Sequence, residues 1–319
     1  MTVELVHAEL NPHVHLWGWA VAIYLFLGGL AGGLLVFASW AHLARRRREY
    51  LPAVRVAQAL TPPVILVGMF LLWLDLGGKW RPFWLYMTLR PTSPMSWGAW
   101  ILLAVLLTSS LAAVPVYLAR GRGMTGRSRD LGVGVPRTLR FLKGVEGWVG
   151  RRMNALAWAN LVLGVSLGLY TGVLLGTMVA RPVWNSPVLG PLFLASGMSA
   201  AAALLMLLAA HGPWVPLLVR AEAGLHATKV ALVGLYLAGL ATSGAGPQTA
   251  AALLVRGFWA LPFWLLVVGG GILVPLAVAT RELVVHRCPR PWVIASCTLT
   301  LVGGLALRVV LVFAGQAGL

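Results

Sequence analysis

The chain has 319 residues, 59% hydrophobic and only 10% charged, with a mean hydropathy of +0.85 and a net charge of +17. A soluble protein of this length has no way to bury that much apolar surface, which makes the bilayer its solvent. The basic residues stand in short clusters between apolar runs. That placement fits loops facing anionic headgroups and argues against a nucleic-acid partner.

The opening stretch, MTVELVHAELNPHVH, holds two acids and no Lys or Arg. It lacks the basic n-region of a secretory signal, so the first apolar run is expected to be retained. Eight runs are long enough to cross the hydrocarbon as helix: 16–43, 59–77, 97–118, 153–178, 188–210, 225–243, 258–280 and 292–314. The predicted fold is an all-α integral membrane bundle of eight helices, one domain over 1–319 with no repeat of its two halves. In the first run Gly28/Gly32 and Gly29/Gly33 recur four apart, the spacing that lets a neighbouring backbone approach. Pro62 and Pro63 are read as lying in the first turn of the second helix, where a missing N–H is tolerated. Residues 119–152 form the one long connection, a basic cytoplasmic loop. Leu139, Leu142, Val145 and Trp148 or Val149 recur there at helical spacing, so it reads as an interfacial amphipathic helix or as a flexible basic linker.

Connections after odd-numbered runs carry nineteen of the 25 Lys and Arg, including Arg55, Arg220, Lys229, Arg281 and Arg290. The other side carries five: Lys79, Arg81, Arg90, Arg181 and Arg256. The positive-inside rule then places both termini on the outer, periplasmic side of the cell's inner (plasma) membrane.

Ionisable side chains inside a span are costly unless they pair or line a cavity. Tyr24, Asp75, Tyr170 and Arg308 all fall within roughly the outer ~12 Å, counting 1.5 Å per helical residue. Two proline- and tryptophan-rich loops cover the same side. One is KWRPFWLYMTLRPTSPMSWGAW; the other is ARPVWNSPVLGP, which contributes Arg181, Trp184 and Asn185. Prolines stiffen both. Phenols, a carboxylate and a guanidinium at headgroup depth suit a molecule with a polar ring and an apolar tail, such as a quinone. The alternatives are a simple Asp75–Arg308 pair and two tyrosines of the interfacial aromatic belt. Glu222, His226 and Lys229 share a face of the sixth helix. They read as a candidate proton path, or as a headgroup-level ion pair with a snorkelling lysine. Cys288 and Cys297 make no CxxC pattern, and no histidines face each other at depth, so no iron–sulfur cluster, haem or other metal is expected on this protein.

The stretches WGWAVAIYLFLGGLAGG, LRPTSPMSWGAW, ARPVWNSP and LALRVVLVFAGQ together resemble the polysulfide-reductase membrane-anchor family, the NrfD/PsrC type. The resemblance implies a subunit that reacts with menaquinone or ubiquinone. It would dock at the outer face to a ferredoxin-like iron–sulfur subunit, and through that to a catalytic subunit of molybdopterin or multihaem type. It also implies a quinone site among the first four helices, to which Tyr24, Asp75 and Tyr170 correspond. Tyr24 and Val21 stand where some members carry a histidine and an asparagine, and His15 at the rim would supply a titratable group. Arg308 matches an arginine typical of the last helix. The rival readings are a structural membrane anchor, a haem-bearing anchor and a secondary transporter for a small anion.

Overall fold

In lipid every backbone N–H and C=O must be paired within the protein, so the apolar runs have to become helices. The computed structural model describes residues 17–44, 50–75, 87, 90, 92–129, 137–209, 212–285 and 289–316. In sequence order its helices are α1 (Trp19–Leu43), α2 (Leu51–Asp75), α3 (Pro94–Arg129), α4 (Arg137–Gly176), α5 (Leu189–Leu208), α6 (Val215–Thr242), short α7 (Ala245–Val255), α8 (Ala260–Val285) and α9 (Arg290–Ala314). Among the described residues, all but α7 are long and apolar enough to cross a membrane, as the eight runs anticipate.

The helices close into two rings of four. In the first, α1 packs on α2, α2 on α3, α3 on α4, and α4 back on α1. In the second, α5, α6, α8 and α9 follow the same order, and α1 with α4 joins the rings by packing on α5. The architecture is thus doubled, although the sequence displays no repeat. Accordingly α1, α5 and α9 are largely buried, whereas α2, α3, α6 and α8 turn large apolar side chains such as Phe70, Leu107, Leu235 and Leu265 outwards, towards lipid. Both described ends meet at one face: the Trp17 amide donates to Gln316 Oε1 at 2.6 Å, and Gln316 Nε2 donates to the Trp17 carbonyl at 3.0 Å. We call this the termini face.

The glycine pairs of α1 address two different neighbours. A methyl group at Gly32 would lie 2.6 Å from the Gly164 carbonyl of α4, and one at Gly33 would lie 2.7 Å from the Gly197 carbonyl of α5. Gly28 faces α4 through Thr171, and Gly29 faces α5. Two interleaved small-residue stripes therefore let one helix approach both rings at backbone distance.

Three expectations are revised. Helix α2 begins at Leu51, so Pro62 and Pro63 lie well inside it rather than in its first turn. Pro63 has no N–H for the Ala59 carbonyl, and the Tyr117 hydroxyl of α3 supplies the replacement, donating at 2.6 Å. Second, 119–129 continues α3 and 137–152 begins α4, so neither a free interfacial helix nor a flexible linker describes them; residues 130–136 lie outside the described set. Val145 and Val149 pack with Leu111 and Ala112 of α3, which holds the α4 extension in the bundle. Third, α6 starts at Val215, ten residues before the expected start, which moves its charged side chains to a different depth.

Within α8, residues Phe263–Leu273 form a π-helix. The wider backbone accommodates the closest interhelical approach of the second ring: a methyl at Gly271 would sit 2.6 Å from the Gly303 Cα of α9. Such segments are rare and cluster at functional sites.

Candidate functional site

The first cluster lies at the termini face of the first ring. Tyr24 is the sixth residue of α1, Asp75 ends α2, and Tyr170 is seventh from the end of α4. Antiparallel neighbours bring these three ends together, and Tyr24 lies close enough to interact electrostatically with both Tyr170 and Asp75. Tyr24 also packs against the buried core around Val21, Leu25 and Phe193.

Tyr170 owes its position to a residue that sequence reasoning passed over. A methyl group at Gly98 of α3 would meet the phenol ring of Tyr170 at 1.9 Å from Cζ and 2.0 Å from the hydroxyl. The ring therefore lies against bare backbone inside the WGAW segment. Ahead of it, the Ser93 carbonyl accepts the amides of Ser96 and Trp97, and Pro94 takes the first helical position, where no N–H is needed. The sequence signal for Gly98 was present in LRPTSPMSWGAW, but only the fold shows what it makes room for. The approach to the cluster from 76–86, and His15 with it, lie outside the described residues.

The second element is the joint between α4 and α5. Its Trp184 is buried, stacks on Trp17 at 5.0 Å and donates from Nε1 to the Leu311 carbonyl at 2.6 Å. The guanidinium of Arg181 lies 5.3 Å over the Trp184 ring and donates to the Gly315 carbonyl at 3.0 Å. Asn185 is exposed, with its amide bonded to the Arg181 carbonyl. The Val183 carbonyl accepts the Tyr236 hydroxyl of α6 at 2.6 Å. Three side-chain hydrogen bonds, from Arg181, Trp184 and Tyr236, tie the joint to its neighbours. It clamps the start of α1, the end of α9 and α6 together, rather than closing over Tyr170. Beside it a recess of about 320 Å³ opens between Trp17, Met178, Arg181 and Gln316.

Arg308 stands apart from Asp75. It is fully buried; its NH1 donates to Ser196 Oγ and, at 2.9 Å, to the Gly304 carbonyl, while NH2 donates to the Phe193 carbonyl at 3.0 Å. The guanidinium lies 4.7 Å over the Phe193 ring. Gly29 leaves the space for NH2, since a methyl there would lie 2.9 Å from it. Hydroxyl and carbonyl dipoles hold this charge, so the simple Asp75–Arg308 pair gives way to an arginine that ties α9 to α5 and α1.

Glu222, His226 and Lys229 are buried inside the bundle. They are 2%, 0% and 2% exposed, and Lys229 is the fifteenth of the 28 residues of α6, at its midpoint. Its ammonium points inwards, donating to Ser199 Oγ at 2.9 Å and to the Gly271 carbonyl of the π-helix at 3.4 Å. The snorkelling reading fails because the extra turns of α6 place the lysine mid-helix, where its buried ammonium bonds inward-facing groups instead of reaching back along the helix. His226 Nε2 lies 3.3 Å from Thr300 Oγ1 and 3.6 Å from Glu222 Oε2. The Thr300 hydroxyl already donates to the Ser296 carbonyl, which leaves it to accept, and so assigns the proton of a neutral His226 to Nε2.

A further polar cavity of about 10 Å³ lies in the first ring, far from the termini face, between Ser39, His42, Gln58, Thr61, Ser109 and Asn160. The sequence reading did not single out these side chains, because each is a common residue taken alone. Among the described residues, no three or more His, Cys, Asp or Glu side chains are placed to hold a metal ion.

The model of a family described as polysulphide reductase, NrfD, matches residues 7–319. The protein is 31% identical over 316 residues to protein NrfD of Escherichia coli, covering 94% of this sequence and 95% of that one. It is 28% identical over 334 residues to a protein NrfD homolog of Haemophilus influenzae, covering 99% of each. To the C chain of polysulfide reductase of Wolinella succinogenes it is 30% identical over 323 residues, covering 94% of each.

Proposed function

The protein belongs to the polysulphide reductase NrfD family, as a multi-pass integral membrane member, and we propose that it is the quinone-reactive subunit of a respiratory oxidoreductase complex. The observation that carries this reading is the convergence of Tyr24, Asp75 and Tyr170 from three helices at one end of one ring, with Tyr170 laid on the bare backbone of Gly98. A quinol needs hydrogen-bond partners for two oxygens, an acceptor for the protons it sheds on oxidation, and an apolar entry for its tail. The two phenols supply the first, the Asp75 carboxylate supplies the second, and the lipid-facing surface of α2 and α3 supplies the third. His15 is a second proton acceptor at the rim.

The termini face is outer in this reading, because the basic connections lie opposite it. Electrons leave there for a ferredoxin-like iron–sulfur subunit, and from it pass to a catalytic subunit of molybdopterin or multihaem type. That a relative is named as the C chain of a polysulfide reductase supports membership of a multi-subunit complex. The Arg181–Trp184 clamp gives such a partner a fixed platform. The quinone is menaquinone or ubiquinone in the cell's inner membrane.

Photoaffinity labelling with an azidoquinone tests the reading. Labelled peptides from the ends of α1, α2 and α4, protected by excess unlabelled quinone, support it. Protected labelling confined to the second ring would rule it out.

A further inference from the structure

Between the two rings, at the face opposite the termini, the helices leave an open apolar groove. Its floor is built from alanines, Ala38 and Ala41 on α1 and Ala53 and Ala57 on α2, whose short side chains leave the space above them empty. Val54 of α2 stands on one side and Leu217 of α6 on the other, with Leu205 of α5 behind. Helices α2 and α6 share no packed interface across it, unlike the neighbours within each ring. The space not filled by protein is about 310 Å³, counting the open side. From Tyr50 to Ala57 the groove runs for about 10 Å, at ~1.5 Å per helical residue.

Three aromatic rings mark the end of the groove nearest the membrane surface. Trp40 and Tyr50 stack at 6.3 Å with 21° between their planes. Trp214 is buried beside them, its Nε1 donating to the Ala209 carbonyl at 2.7 Å. Tryptophan and tyrosine at this depth belong to the boundary between hydrocarbon and headgroups. The charge beyond that boundary is strongly positive. Residues 45–49, which join α1 to α2 just past Trp40 and Tyr50, read RRRRE in the sequence. A five-residue connection held at both ends keeps the backbone bearing that charge within roughly 10 Å of the groove's end. Arg55 of α2 and Arg220 of α6 are exposed at the same face and add to the field.

We propose that the groove holds an acyl chain of one anionic phospholipid, with the phosphate drawn to the basic end. Phe37, Trp40 and Leu217 are only partly buried along the open side, which faces the bilayer. A void there would forfeit the dispersion contacts of every wall atom, and an apolar surface offers water no partner, so hydrocarbon is the filler. Charge then selects the headgroup, because clustered arginines at the membrane surface favour anionic over zwitterionic lipid. A quinone tail is the wrong occupant, since Tyr24, Asp75 and Tyr170 lie at the opposite end of the ring. A partner's transmembrane helix, about 10 Å across, is too wide to enter. The lipid ties α2 to α6 at this face, as Arg181 and Trp184 tie the helix ends at the termini face.

The test is native mass spectrometry of the full chain, released from detergent that contains phosphatidylglycerol and phosphatidylethanolamine in equal amounts. The wild type should retain one phosphatidylglycerol, preferred about tenfold or more over phosphatidylethanolamine. Added phosphatidylglycerol should also raise its melting temperature by about 5 °C. Ala53→Leu with Ala57→Leu fills the floor of the groove, and should cut retention about tenfold and remove the lipid-dependent rise in melting. A second variant leaves the groove intact and guards against misfolding of the first. In it Arg45→Gln, Arg46→Gln, Arg47→Gln and Arg48→Gln together should abolish the preference for the anionic lipid. No lipid retained by the wild type, equal retention of the two lipids, or retention unchanged in the filled variant would each overturn the proposal. So would an undiminished anionic preference in the variant without the four arginines.

Discussion

Replacing Gly98 by alanine should damage the proposed quinone site while leaving the chemical groups placed there unchanged. The added methyl would sit 1.9 Å from Tyr170 Cζ, whereas ordinary contact begins near 3.4 Å, so the phenol must move by about 1.5 Å. Helix α4 offers no easy retreat, because Gly172 and Gly168 already hold it against Leu189 and Leu194 at backbone distance. A displacement of about 1 Å at a reacting centre costs up to about a hundredfold in rate, and a lost hydrogen bond to substrate about tenfold. Gly98→Ala should therefore weaken quinol binding or turnover by roughly tenfold to a hundredfold, or about 1.4–2.7 kcal/mol. The assay is a double-mutant cycle on inhibitor affinity, with Tyr170→Ala as the second change. If the effect runs through the ring, Gly98→Ala should cost almost nothing more once Tyr170 is alanine. Wild-type affinity in Gly98→Ala, or an undiminished penalty in the Tyr170→Ala background, would refute the reasoning.

Other substitutions probe the scaffold. Tyr117→Phe leaves the Ala59 carbonyl without its donor and should cost about 1–2 kcal/mol in thermal unfolding. Adding Pro63→Ala restores a backbone N–H to that carbonyl, so the Tyr117→Phe penalty should shrink in that background. Gly32→Val drives a side chain into the Gly164 carbonyl and should cost about 1–3 kcal/mol or prevent assembly, read as a lowered melting temperature in detergent. Trp184→Phe removes one buried hydrogen bond and weakens the Arg181 contact, about 1–2 kcal/mol together. It should speed proteolysis of the C-terminal end, and an unchanged digestion rate would contradict the clamp.

The eight spans were legible because a bilayer imposes one length and one composition on every crossing. The α1 glycines were legible as a packing stripe, and the α4–α5 joint as a cluster of prolines with tryptophan. Depth was harder to read. Arg220 and Glu222 resemble the end of a loop, yet α6 begins at Val215, and that difference turns Lys229 from a surface lysine into the centre of a buried network. Pro62 and Pro63 misled for the same reason: helices run on past the hydrocarbon, and a hydroxyl from another helix can replace a missing N–H. The π-helix left no trace, since a segment apolar on all sides shows no period to disturb. Gly98 acquires meaning only from the residue that another helix brings to it.

The reading of the first ring as a quinone site is tested most directly by binding a fluorescent quinol-site inhibitor to the purified protein, native and with Asp75→Asn or Tyr170→Phe. Saturable binding to the native protein that weakens in both variants is the expected result. Affinity unchanged in both variants, with each folded, would contradict a pocket at the ends of α1, α2 and α4.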